Sequence, residues 1–209
     1  MSKGMNMGKY LVSSAEERPD FAAIAEWIPR GASVLDLGCG DGSLLRYLKE
    51  TRKVSGYGVE INDVDIVMCI ANGVNVIQND LESGLSDFED NAFDFVILSQ
   101  TLQATRHTEA LINEMLRVGR EGIVSFPNFG YWKSRLNVLR GNMPVSKELP
   151  YQWYDTPNVH LCTLHDFESF CCRKGVAILD RRVMAGGLEM KLLPNLLGST
   201  AVYRFQRGI

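Results

Sequence analysis

A glycine-rich turn between a short apolar run and an amphipathic segment is the feature that most constrains this chain. The run Ser33–Leu37 leads directly into Gly38-Cys39-Gly40-Asp41-Gly42, and leucines at helical spacing follow Ser43. Glycine permits both a tight turn and the close approach of a ligand to the backbone. The start of the following helix offers free N–H groups and a partial positive charge. The segment therefore predicts a strand–loop–helix unit that binds a small molecule.

Apolar runs and amphipathic segments alternate along most of the chain, which predicts an α/β fold with an open, mostly parallel sheet and helices on both faces. The expected strands are 33–37, 54–59, 74–77, 93–98, 122–126, 176–184 and 201–205, and the expected helices are 21–28, 43–49, 63–71, 108–118, 131–139 and 166–174. No clear helix separates the last two strands, so we expect a terminal pair with one antiparallel strand. The apolar segment 188–197 fits neither class clearly. No linker divides the 209 residues, which predicts a single domain over 1–209.

Two features separate the glycine-rich turn from a dinucleotide-binding loop. Its spacing is Gly-x-Gly-x-Gly, and Ser43 stands where the dinucleotide fingerprint has its third glycine. Asp36 lies two residues before Gly38, where a carboxylate repels a pyrophosphate but attracts an ammonium group. The predicted ligand therefore carries a cationic amine, as the methionyl half of S-adenosylmethionine does.

Acidic residues also follow the next two expected strands. Glu60 ends the second strand, 24 positions after Asp36, and Asp80 follows the third strand. An acidic residue about 20 positions beyond such a turn can accept hydrogen bonds from ribose hydroxyls. Asp80 is a candidate acceptor for an adenine amino group. Because the carboxyl ends of parallel strands meet at one edge of a sheet, the three carboxylates predict one site for an adenosine-containing ligand.

This ordered set of motifs resembles the class I S-adenosylmethionine-dependent methyltransferases over about residues 30–128. The resemblance implies a Rossmann-like, seven-stranded sheet and S-adenosylmethionine or S-adenosylhomocysteine as the cofactor. The cofactor-binding residues that it implies are Asp36, Gly38 and Gly40 at the methionyl part, Glu60 at the ribose, Asp80 with Leu81 at the adenine, Ser99 and Gln100 along the floor, and Cys39 and Ile61 beside them.

A closer resemblance covers nearly all of the chain beyond residue 31. The segments that resemble MetW, a methionine-biosynthesis family, are 34–42, 56–61, 79–85, 93–103, 125–141, 149–155 and 158–167. The resemblance implies an accessory or regulatory partner of the homoserine O-acyltransferase MetX, one that senses S-adenosylmethionine as an end product. It does not imply methyl transfer. The alternative is a stand-alone methyltransferase that acts on a small molecule.

Catalytic residues are not evident, and methyl transfer from a sulfonium needs few of them. The protein mainly positions the acceptor, and a base is needed only where the acceptor must lose a proton. His107 and His160 are the candidate bases, against the commoner structural role of a lone histidine. The residues after the fourth strand, 99–101, lack the Asn/Asp-Pro-Pro-Tyr/Phe motif of methylation on adenine or glutamine amines.

An aromatic insert spans about residues 129–160, where a helix is expected to lead into a long loop. Long loops in compact domains are often lids or binding segments. Three interpretations are open: a lid packed on the core, a protein interface, or a substrate contact. The aromatic residues of the insert include Tyr131, Trp132, Tyr151, Trp153 and Tyr154.

Composition removes several classes of function. A net charge of −3 without long basic runs argues against a nucleic-acid partner. No apolar run approaches the roughly 20 residues that cross a bilayer, so no membrane association is expected. The five cysteines lack metal-ligand spacing, which predicts no metal site and a reduced, cytoplasmic protein.

Overall fold

The computed structural model describes residues 18–208. Its helices are α1 (Pro19–Trp27), α2 (Ser43–Arg52), α3 (Asp63–Ala71), α4 (Thr108–Val118), α5 (Trp132–Leu139), α6 (Leu164–Lys174) and α7 (Pro194–Leu197). Its strands are β1 (Ser33–Leu37), β2 (Ser55–Glu60), β3 (Val76–Gln78), β4 (Phe93–Ser99), β5 (Gly119–Pro127), β6 (Val176–Ala185), β7 (Leu188–Glu189) and β8 (Thr200–Arg207). Within this part of the chain, no helix has both the length and the apolar character needed to cross a membrane.

All of the strands form one sheet in the order β3-β2-β1-β4-β5-β8-β6-β7. Strands β1 to β5 are mutually parallel, and β8 is antiparallel to both of its neighbours, β5 and β6. The expected parallel sheet with an antiparallel C-terminal strand is therefore confirmed. The described residues hold eight strands rather than seven, because β7 folds back on β6 through Gly186 and Gly187, which both have positive φ. The ambiguous segment 188–197 thus contains β7 and α7.

The core lies on both faces of the sheet, as the almost unbroken apolar run of β4 predicts for a buried parallel strand. Val96 and Leu98 of this strand pack with residues of α4 and α6 on one face. Phe95 and Ile97 pack with residues of α1 and α2 on the other. Successive side chains of a strand point to opposite faces, so one strand contributes to both layers.

Helices α1 and α6 each begin two residues before the expected start, because the residues that begin them lie upstream of the apolar pattern. Helix α6 begins at Leu164, two residues early, since Thr163 and Asp166 form a capping box. It ends at Gly175, which takes a left-handed conformation with φ of 65°. Helix α1 begins at Pro19, a residue suited to the first helical turn.

The aromatic insert consists of α5 and a long irregular segment that returns to the sheet near residue 160. Trp153 and Tyr154 meet edge to face with their ring centroids 5.7 Å apart. They are 73% and 71% exposed, so these two rings do not pack on the core. The lid, interface and substrate interpretations of the insert all remain predictions.

Candidate functional site

The glycine-rich turn is anchored to β2 and leaves an open surface at Gly40. The backbone N–H groups of Gly38 and Cys39 both donate to the Val59 carbonyl, at 2.8 and 3.1 Å. Gly38 has a φ of +66°, and a Cβ there would lie 2.7 Å from Thr101 Cγ2. Gly40 also has a positive φ, +54°, but a Cβ there would meet nothing within 4 Å. Gly38 is therefore required by packing, whereas Gly40 leaves room for a ligand.

The thiol of Cys39 faces the interior rather than this surface. Its Sγ lies 3.6 Å from the Sγ of Cys69, and both side chains are buried. Cys69 in turn donates to the Gly40 carbonyl at 3.0 Å, which ties the turn to α3. Cys39 can thus serve a ligand through its backbone.

Asp36 is the most unusual residue of this edge. Its side chain lies near the end of β1, the residue is only 2% exposed, and Oδ1 has no hydrogen-bond partner in the described residues 18–208. Burial raises the pKa of this carboxyl to about 8, with Glu60 and Asp20 adding to the rise and the Arg18 guanidinium opposing it. A buried acceptor left unpaired is costly, and such groups often mark functional sites. A cationic N–H donor from a ligand would satisfy it.

Glu60 is held in place at the end of β2 by three backbone N–H groups. Its Oε2 accepts from Gly40 at 2.9 Å, and its Oε1 accepts from Ile61 at 2.9 Å and Asn62 at 3.0 Å. A carboxylate has about four acceptor positions, so capacity remains for a ligand hydroxyl. The structure therefore brings the predicted Glu60 and Gly40 into direct contact, with the side chain of Ile61 exposed beside them.

Asp80 and Leu81 follow β3 at the next position along the same edge. Gln78, the last residue of β3, lies in register with Glu60. Asp80 is exposed, and its Oδ1 accepts from the Glu82 backbone N–H at 2.9 Å, which caps the 3₁₀ turn 81–83. Leu81 is half-buried against the core. The three predicted carboxylates thus occupy successive strand ends, with Asp80 the most accessible.

Ser99 and Gln100 lie at the end of β4 above a polar network. Ser99 Oγ accepts from Arg18 Nη2 at 3.0 Å and lies 3.1 Å from Ser125 Oγ. It also lies 3.2 Å from Asp20 Oδ2. Gln100 has a positive φ of 55°, and its backbone N–H donates to the Ser125 carbonyl at 2.9 Å. This network holds the β4 end of the site in one conformation.

Arg18 and Asp20 belong to the candidate site as well, and the sequence analysis did not predict them. They form a two-pronged ion pair, with Nε–Oδ1 at 3.0 Å and Nη2–Oδ2 at 2.8 Å. Their contacts to Ser99 span about 80 positions, which no local pattern reveals. The sequence pattern that could have indicated them is Pro19 followed by Asp20, which is typical of the first turn of a helix.

A polar cleft of about 630 Å³ adjoins this network. Arg18, Asp20 and Gln100 line it on the side of the acidic edge, which is the row of strand ends with Asp36, Glu60 and Asp80. Lys147 and Glu148 line it on the side of the insert. A group bound in the cleft would therefore lie between the acidic edge and the insert.

The two candidate bases, His107 and His160, do not line the polar cleft. His107 Nδ1 is 2.6 Å from Glu82 Oε2, and His160 Nε2 is 3.3 Å from the Arg106 carbonyl. Both side chains are exposed and line a second cavity between α4 and α6. A catalytic role for either histidine stays a prediction.

Comparison with known families identifies the chain. The family described as "Methionine biosynthesis protein MetW" matches residues 18–205. The chain belongs to the MetW family. A curated relative is the bifunctional methionine biosynthesis protein MetXA/MetW of Rhodopirellula baltica, 38% identical over 203 residues. The match covers 90% of this chain and 32% of that protein, so this MetW-family chain spans about a third of its relative's length.

Solved structures confirm the Rossmann-like methyltransferase fold of this MetW-family chain. One is a SAM-dependent methyltransferase, possible histamine N-methyltransferase, of Thermotoga maritima, with a TM-score of 0.66 and 18% identity over 91% of this chain and 88% of that one. Another is a SAM-dependent methyltransferase of Archaeoglobus fulgidus, with a TM-score of 0.65 and 16% identity over 93% of this chain and 95% of that one. These likenesses establish the fold and leave the activity open.

Proposed function

We propose that this MetW-family chain binds S-adenosylmethionine and acts as an accessory, regulatory partner of a homoserine O-acyltransferase. The observation that carries the proposal is the relative that joins MetXA and MetW in one chain at 38% identity to this one. Linking two modules raises their effective concentration toward one another, which favours partners that act together. The proposal therefore treats the separate chain as one half of the same assembly.

The residues at the acidic edge fit S-adenosylmethionine. Asp36, with an unpaired buried oxygen, suits the ammonium group of the methionyl part. Gly40 leaves open space against the backbone, and Glu60 retains acceptor capacity for the ribose hydroxyls. Asp80 is accessible to an adenine amino group. When bound, S-adenosylmethionine supplies an activated methyl group, but a sensor requires only that binding change the partner's activity.

A stand-alone methyltransferase is the second candidate. The polar cleft beside Arg18 and Gln100 favours it, because a small acceptor could lie there next to the acidic edge. This alternative predicts S-adenosylhomocysteine formation with some small acceptor in the absence of any protein partner.

The two candidates differ in a sedimentation experiment. The chain is mixed with the homoserine acyltransferase of its own organism, with and without S-adenosylmethionine. The accessory role predicts a co-sedimenting complex and no S-adenosylhomocysteine. Independent sedimentation in both mixtures, with S-adenosylmethionine converted to S-adenosylhomocysteine when a small acceptor is added to the chain alone, would support the alternative instead.

The exposed rings of the insert are expected to contribute to such a complex. Replacing Trp153 with Ala should weaken it about tenfold or more, because large exposed aromatics dominate binding energy at interfaces. Affinity for S-adenosylmethionine should not change. The matched control is Tyr57→Ala, an exposed ring on β2. Equal affinity of the W153A and Y57A variants for the acyltransferase would place the interface elsewhere.

Gly40 offers a test of where the cofactor lies. Gly40 and Gly31 both have positive φ and open space where a Cβ would lie, but they stand at opposite ends of β1. Either change to Ala should cost about 1 kcal/mol of folding free energy from backbone strain. Only Gly40→Ala should also weaken S-adenosylmethionine binding, by about tenfold, in calorimetric titration. Equal affinities of the two variants would contradict the proposed placement.

A further inference from the structure

A second cavity lies between α4 and α6, apart from the acidic edge. Its volume of about 660 Å³ falls in the range of about 300–1,000 Å³ that small-molecule sites occupy. Leu102, Phe126, Phe167 and Phe170 line it, and the rings of Phe126 and Phe167 lie 5.2 Å apart. The cavity is therefore shaped for a compact apolar body.

Contacts across the cavity hold its walls in place. Glu109 of α4 lines the cavity and forms an ion pair with Lys174 of α6 at 2.6 Å. On another wall, the backbone N–H groups of Val159 and His160 donate to the Gln103 carbonyl at 2.8 and 3.0 Å. These contacts connect α4 with α6, and residues 159–160 with the turn that carries Gln103.

The cavity is lined by two carboxylates and one guanidinium, which differ in whether they have a partner. Glu109 is neutralised by Lys174, and the Asp166 carboxylate accepts from the Thr163 backbone and hydroxyl at 2.9 and 2.8 Å. Arg106 also lines the cavity, and within residues 18–208 its guanidinium makes neither an ion pair nor a hydrogen bond. A free guanidinium beside carboxylates that already have partners attracts a ligand carboxylate.

Gln103 separates this cavity from the polar cleft, since it lines both. Its Nε2 donates to the Gln100 carbonyl at 2.7 Å. Its buried Oε1 has no partner among the described residues. An acceptor pairs with a donor, so this oxygen suits a ligand hydroxyl or N–H group and takes no part in binding a carboxylate.

We propose that the cavity binds a compact apolar carboxylic acid. The ring or branched chain packs on Leu102, Phe126 and Phe167, and the carboxylate pairs with Arg106. The site is distinct from the edge that carries Asp36 and Glu60, so it does not depend on S-adenosylmethionine. Its failure would leave the proposed function untouched.

The test uses 1-naphthaleneacetate and its neutral amide as probes in calorimetric titrations of the full chain. The chain should bind the acid saturably and about tenfold more tightly than the amide, as expected for one charge-assisted pair. Arg106→Gln should remove this preference, whereas Arg140→Gln, at the end of α5, should keep it. Ala110→Phe, which fills the cavity from an exposed position on α4, should weaken both probes, unlike Ala71→Phe on α3.

Three results would overturn the proposal. They are the absence of saturable binding up to about 5 mM acid, an undiminished acid preference in the R106Q variant, and displacement of the acid by S-adenosylmethionine. Thermal melts establish that each variant folds. Should A110F not fold, the comparison of R106Q with R140Q decides alone.

Discussion

Replacing Asp36 with Asn is expected to weaken S-adenosylmethionine binding by about 100-fold, because Asn cannot form the carboxylate that would pair with the ligand ammonium in the complex. The variant keeps the size of the side chain, so the loss reports charge rather than shape. The matched control is Asp87→Asn, which makes the same change on an exposed loop. Calorimetric titration of both variants measures the difference, and equal affinities would remove Asp36 from the site.

The same residue should make cofactor binding depend on pH. Burial raises the pKa of Asp36 to about 8, so the free protein holds this carboxyl mostly protonated at neutral pH. An ammonium ligand favours the carboxylate, and binding therefore releases a proton. Affinity should rise between pH 6 and 7.5, approaching about tenfold per unit. Titrations in buffers of different ionisation enthalpy should detect the released proton for the native chain and none for D36N.

Asp36→Asn should raise the stability of the folded chain, although it weakens binding of S-adenosylmethionine. A carboxyl whose pKa is higher in the folded than in the unfolded chain keeps its proton on folding, so the free energy of unfolding falls as pH rises between about 4 and 8. Asn carries no such charge. The stability advantage of D36N over the native chain should therefore grow by about 4 kcal/mol from pH 5 to pH 8.

Urea unfolding at the two pH values measures this change. The D87N control makes the same substitution at an exposed position and tests whether the growth is specific to Asp36. A D36N advantage that is the same at both pH values would mean that Asp36 titrates normally in the folded chain. The expected pattern is that of a residue retained for binding at a cost in stability.

Local patterns in the sequence were sufficient to predict the strands that form the site. The apolar run 93–98 and the run before Gly38 are bounded by polar or glycine residues, so their positions follow from short-range patterning. Strand β5 begins at Gly119, earlier than the expected 122, because Arg120 and Glu121 interrupt the apolar run without interrupting strand pairing. The two-residue β7 carries too short a pattern to be recognised.

The site itself was predictable only in part. The placement of Asp36 and Glu60 at neighbouring strand ends follows from parallel pairing of β1 with β2, which the alternation of elements implies. The network of Asp20 with Ser99 and Ser125 joins three distant segments by tertiary contact alone. Nothing in the local sequence around those serines indicates such a partner. The cavity beside Arg106 likewise exists only once α4 and α6 are packed on the sheet.

The most direct test of the accessory role is the rate of homoserine acylation by the partner acyltransferase. The enzyme is assayed alone and with this chain, and each arm is run with and without S-adenosylmethionine. The account predicts that adding the chain raises the rate, that S-adenosylmethionine changes the raised rate, and that D36N raises it without responding to S-adenosylmethionine. A rate that does not change when the chain is added, together with no detectable complex, would contradict the accessory role.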